Sequence, residues 1–222
     1  MAMDAQRRLF LACGLLAASG LHAQTAATPL APLLQWLREV RSARANFRQE
    51  VLSPARGSVA ARRRVSSGTL AFARPGRLRM AYRQPFEQTL VADGQTLWWH
   101  DPDLQQVTAR PQAQALAGTP AGLLTAAPDA AALQADFDWQ TEPDAEGLQW
   151  LAARPRQADS PVALLRVGLR SAGALPEWAV LEVRDRFGQT TLLRLSDWQL
   201  NPALPPDTFA FVPPAGTSVI RP

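Results

Sequence analysis

From Ser66 onward the chain alternates apolar and polar residues with a period of two, and turn-forming dipeptides break the alternation at short intervals. Leu78, Met80 and Tyr82 alternate with Arg77, Arg79 and Arg83. Leu97 and Trp99 fall on the opposite side of a pleat from Trp98 and His100. The rhythm continues through Ala135, Phe137 and Trp139, then Leu148 and Trp150, then Leu165, Val167 and Leu169. It runs on through 179–183 and 190–195 and ends at Phe209 and Phe211. Between these runs stand Pro75-Gly76, Asp93-Gly94, Glu146-Gly147 and Phe187-Gly188. Side chains of a strand point alternately to its two faces, so such alternation describes strands buried on one side. Asp-Gly between apolar runs is a strong hairpin signal. Many strands joined by short turns predict one mainly β domain, an antiparallel sheet or barrel.

Two stretches depart from this period. Leu30, Leu33, Leu34, Trp36, Leu37 and Val40 follow helical spacing and predict an amphipathic helix of about three turns. Residues 46–52 read as extended, and 53–65 as a charged, turn-rich loop. Residues 111–133 are not strand-like. Thr119 offers an N-cap and Pro120 suits the first helical position, predicting a short helix over 121–126 with Leu123 and Leu124 on one side. A second covers 128–133. Short apolar helices within a β-sheet must bury their leucines, and the concave face of the sheet is the natural place. Such a sheet is a container that the seven tryptophans and eight phenylalanines can line. On pattern alone, an ordinary packed core accounts for the same residues.

The rest of the composition narrows the chemistry. Arg7 and Arg8 precede an apolar run over 9–21 that ends at Ala23, the order of a secretory signal peptide. The expectation is a cleaved segment 1–23, a Pro-containing linker over 24–32, and one domain within 24–222. Cys13 stands too close to Arg8 to be a lipidation site after an apolar region and is expected to be lost with the signal. The mature chain then has no thiol and only His100 among histidines, which disfavours zinc or other transition-metal sites and removes the usual general base. No P-loop, G-x-G-x-x-G, G-x-S-x-G or H-E-x-x-H occurs. Asp136 and Asp138 are expected on one exposed strand face, and Asp101 and Asp103 in a turn, neither pair placed for catalysis. Net charge is +4 and all 23 basic residues are arginine. The run Arg62-Arg63-Arg64 reads as a solvated loop rather than a nucleic-acid patch, with an anionic protein partner as the intermediate option. A binding protein, not an enzyme, is the expectation.

An ordered set of short segments then resembles the LolA family. The set begins with Ser67-Gly68-Thr69-Leu70, residues 74–80 and Gln84-Pro85. It continues with residues 93–98, 101–108 and 119–124, and closes with residues 185–190 and 209–216. The resemblance implies a periplasmic carrier of acylated lipoproteins. Its fold would be an incomplete, unclosed antiparallel β-barrel with a helical lid over an apolar cavity. It implies loading by the LolCDE transporter and delivery to the LolB receptor. It also implies no metal, no cofactor and no catalysis, and a monomer without stable membrane insertion. Arg74 matches the family arginine that bonds backbone carbonyls of the lid and gates it, with acceptors expected within 116–126. Leu78 matches a position at the cavity mouth, and Met80, Trp98, Leu123 and Leu124 are the expected cavity and lid residues. A LolB-like acceptor would share the fold but would carry a lipidated N-terminal cysteine. A lipid or glycan hydrolase would need a nucleophile–base pair that the sequence does not offer.

Overall fold

The alternating segments pair into one sheet that curls around a helix. The computed structural model describes residues 30–117, 119–125 and 130–222; the expected signal segment lies outside them. The strands are β1 (Ser42–Ser53), β2 (Arg62–Ala73), β3 (Arg77–Gln84), β4 (Gln88–Asp93), β5 (Thr96–Asp101), β6 (Gln106–Pro111), β7 (Phe137–Ala145), β8 (Leu148–Pro155), β9 (Val162–Ala172), β10 (Leu175–Asp185), β11 (Thr190–Leu200) and β12 (Ser218–Ile220). Their spatial order is β12-β6-β5-β4-β3-β2-β1-β11-β10-β9-β8-β7. Every pairing is antiparallel except β12 on β6. The end strands β12 and β7 do not pair, so the barrel stays open.

The period-two pattern decides which face is covered. Phe47, Leu70, Phe72, Leu78, Met80, Leu90, Leu97, Leu165, Val167, Leu181 and Leu193 all turn to the concave side and form one core. Helix α1 (Ala31–Glu39) fills the centre of that concavity. Its Trp36 is fully buried, stacked on Trp178 at 4.5 Å and edge-on to Trp198 at 5.7 Å. Fully burying each of Leu33, Leu37 and Trp36 is worth about 1.5–3 kcal/mol or more, which explains why a short helix with no side-chain N-cap holds its place. Gly68 marks a bulge against β3, where a Cβ would stand 1.9 Å from the Ala81 carbonyl oxygen.

Several expectations needed correction. The loop over 53–65 is shorter than expected: β2 begins at Arg62, so the arginine run belongs to a strand. A short helix over Ala130–Asp136 precedes β7, which starts only at Phe137, so Asp136 and Asp138 do not share a strand face. Phe209 lies in a 3-10 turn (Pro206–Phe209) and Phe211 in irregular chain, not in a strand. The prolines around them explain this, because proline cannot donate to a sheet ladder. This C-terminal segment crosses the convex face, setting Phe211 against Trp98 at 5.6 Å and His100 at 5.9 Å.

Candidate functional site

Three short helices connect β6 to β7 and lie over the concave face: α2 (Gln112–Leu116), α3 (Pro120–Thr125) and α4 (Ala130–Asp136). Thr119 caps α3, accepting the Gly122 amide on Oγ1 at 3.0 Å. Gly122 allows α2 and α3 to cross closely, since a Cβ there would stand 2.2 Å from the Leu116 carbonyl oxygen. Between these helices and the sheet lies a cavity of about 560 Å³ lined largely by apolar side chains, among them Leu116, Leu123, Leu133, Phe137, Leu165 and Val183. Its size falls in the usual range for ligand sites, about 300–1,000 Å³.

The turn Arg74-Pro75-Gly76 between β2 and β3 pins this lid. Arg74 Nε donates to the Leu124 carbonyl at 3.1 Å, and its Nη1 donates to the carbonyls of Leu37, at 3.3 Å, and of Val40. The guanidinium therefore ties the C-terminal ends of α3 and α1 together. Those ends carry unpaired carbonyls and partial negative charge, which a cation satisfies. The planar group also lies over Trp36 at 4.7 Å and Phe72 at 5.0 Å, a favourable cation–ring contact. Burial pulls its pKa down to about 10, so it stays charged at neutral pH. Among the described residues its Nη2 has no hydrogen-bond partner. The Gly76 amide donates to the Thr125 carbonyl at 3.0 Å.

Gln112 completes the clasp. It is buried, its Nε2 donates to the Gly76 carbonyl at 2.6 Å, and its Oε1 accepts the Gly94 amide at 2.9 Å. One side chain thus joins α2 to two hairpin turns. Sequence reasoning missed it, because a glutamine after a proline carries no signal until the turns come together.

The expected cavity residues divide. Leu123 lines the cavity, while Leu124 points into the core and is fully buried. Leu78 and Met80 lie in that same core, Leu78 with no exposure, beneath the helices and not at a mouth. Trp98 faces the convex side, where its Nε1 donates to Asp93 Oδ2 at 2.8 Å. Its neighbours Leu97 and Trp99 take the concave side, Trp99 stacked on Tyr82 at 6.5 Å. The pleat separated the two tryptophans as expected, but Phe211 of the C-terminal tail gave Trp98 a second apolar surface that the sequence did not locate. Among the described residues no group of acidic, histidine or cysteine side chains could hold a metal ion, and no helix is long and apolar enough to cross a membrane.

The family model of the outer membrane lipoprotein carrier protein LolA matches residues 38–212. The chain belongs to the LolA family. It is 50% identical over 186 residues to an outer-membrane lipoprotein carrier protein of Albidiferax ferrireducens, covering 84% of this chain and 87% of the relative. A protein of the same name from Methylibium petroleiphilum is 43% identical over 96% of this chain and 97% of its own. A solved structure, an uncharacterised conserved protein of Thermus thermophilus, superposes with a TM-score of 0.51 at 11% identity, covering 85% of this chain and 94% of that one. It supports the fold alone. The curated LolA relatives are named as carriers, a class that binds without catalysing.

Proposed function

We propose that this LolA-family chain is a periplasmic carrier that shields the acyl chains of lipoproteins between the inner and outer membranes. The observation that carries this reading is the apolar cavity of about 560 Å³ beneath a lid held by Arg74 on Leu124, Leu37 and Val40. Hydrocarbon buried from water is worth about 0.8 kcal/mol per methylene, so two or three acyl chains cannot cross an aqueous space unshielded. A carrier must also release its cargo. Closure of the lid over an empty cavity competes with acyl binding, because the lid leucines and the acyl chains seek the same surface. Arg74 Nη2, unpartnered among the described residues, leaves the closed state with a built-in cost of about 1–3 kcal/mol, which supports a lid that opens reversibly. Arg74 is the gate in this reading. Leu123 contacts cargo directly, while Leu78, Met80 and Leu124 become accessible when the lid lifts. Residues 1–23 direct export, residues 24–222 form the carrier domain, and loading and delivery fall to a LolCDE-type transporter and a LolB-type receptor.

The test is release of lipoproteins from spheroplasts by the purified mature protein, with the soluble fraction analysed by native mass spectrometry. A one-to-one complex with acylated protein is the expected result. Absence of a complex, beside a known carrier that forms one, would overturn the lipoprotein assignment.

A further inference from the structure

The arginine run is split by the pleat. Register pairs Phe47 with Gly68, Gln49 with Ser66, Val51 with Arg64 and Ser53 with Arg62. Phe47 is a concave core residue, so Arg62 and Arg64 take the concave face and Arg63 the convex. Arg63 is neutralised there by Glu50, with Nε–Oε1 at 2.5 Å and Nη2–Oε2 at 2.7 Å. Among the described residues Arg62 and Arg64 have no ion pair. They flank a basin of about 460 Å³ together with Arg56, Val59 and Phe187. Its one carboxylate, Asp185, accepts the Phe187 and Gln189 amides on Oδ1 at 2.8 Å each. Phe187 and Val59 are exposed, so the basin is cationic and apolar at once.

Its position gives it a ligand. Val183 lines the acyl cavity and Asp185 lines this basin, two residues apart on the same strand, so the two spaces adjoin. A polypeptide leaving the cavity at this end of β10 would pass over the basin. We propose that the Arg62–Arg64 basin receives the extended segment that follows the lipidated residue of the cargo, and favours segments bearing Asp or Glu. This rests on the carrier reading above. Alternate residues of a strand are roughly 7 Å apart, so carboxylates two positions apart in an extended peptide match the two guanidiniums.

The experiment measures affinity for synthetic triacylated peptides that share acyl chains and differ only in three residues after the acylated cysteine, Asp-Ser-Glu or Asn-Ser-Gln. Wild type should bind the acidic peptide roughly two- to thirtyfold more tightly, the range for a pair of exposed ion contacts, and the difference should vanish in high salt. The Arg62→Gln/Arg64→Gln variant should lose the preference and keep its affinity for the neutral peptide. Arg63→Gln, on the convex face, should keep both. Equal affinity of wild type for the two peptides would overturn the proposal and leave the carrier reading intact. So would an equal loss in Arg63→Gln, which would mean a diffuse field, or a defect confined to delivery to an acceptor, which would assign the arginines to a partner's acidic surface. Failure of wild type to bind either peptide would overturn the carrier reading, and this inference with it.

Discussion

Arg74 reaches the carbonyl of Leu124 at 3.1 Å across fifty residues of sequence, and this contact joins the sheet to the lid. The same guanidinium holds the end of α1, so the lid is referenced to the most deeply buried helix of the fold. The gating role proposed for Arg74 can therefore be tested by a change at one side chain that lies outside the strands.

Replacing Arg74 by leucine should slow cargo release. The substitution leaves the Leu124, Leu37 and Val40 carbonyls without their cationic donor and weakens closure by about 1–3 kcal/mol. Weaker closure competes less with bound acyl chains, so cargo should persist on the carrier roughly five- to 150-fold longer. The measurement is the fraction of lipoprotein left on the carrier after incubation with acceptor. Release equal to wild type would contradict the gating role.

Gly122→Ala should loosen the lid from the other side. The added Cβ meets the Leu116 carbonyl oxygen at 2.2 Å, which only separation of α2 from α3 relieves, at about 1–3 kcal/mol. Hydrogen exchange of the Gly76 amide, bonded to Thr125 in α3, should quicken while amides of β9 and β10 stay protected. Unchanged exchange at Gly76 would mean that the two helices do not move as one lid.

Residue pattern made the sheet legible and left its surroundings obscure. Turns at Pro75-Gly76, Asp93-Gly94, Glu146-Gly147 and Phe187-Gly188 all fall between consecutive strands, because turn chemistry is local. The helix around Trp36 and the Thr119 cap were legible for the same reason. Which face of β5 meets the helices was not: Trp98 and Trp99 are equally apolar, and only the path of a proline-rich tail decides between them. Strand β12, three residues long and parallel to β6, has no local signature. Gln112 depends on two turns distant in sequence, and its role emerges only when they meet.

Trp36→Ala should be among the most damaging single changes to stability. The side chain is wholly buried between Trp178, Trp198 and Phe72 and carries the Arg74 guanidinium on its face. Truncating a buried aromatic costs about 3–5 kcal/mol, and here it also removes the platform of the clasp. Urea denaturation should show that loss for Trp36→Ala. Trp99→Ala, at a residue 43% exposed, should shift the midpoint far less. Equal shifts would mean that α1 is not the structural centre of the concave core.

Acid should weaken the hairpin that anchors Gln112. Burial tends to raise the Asp93 carboxyl, but hydrogen bonds from the Thr96 amide, Trp98 Nε1 and the Gln95 amide outweigh it and hold the pKa below its ordinary value. A carboxyl whose folded pKa lies below its unfolded value stabilises the fold above the unfolded pKa, about 3.9. That contribution is lost as pH falls through the folded value. Wild type should therefore lose stability below about pH 4 more steeply than Asp93→Asn, which cannot titrate. The variant should be less stable at neutral pH by about 1–2 kcal/mol, and the two curves should converge in acid. Parallel curves from pH 7 to pH 2 would mean that the carboxylate contributes nothing through its charge. The Gly94 amide that Gln112 accepts would then be positioned by the turn alone.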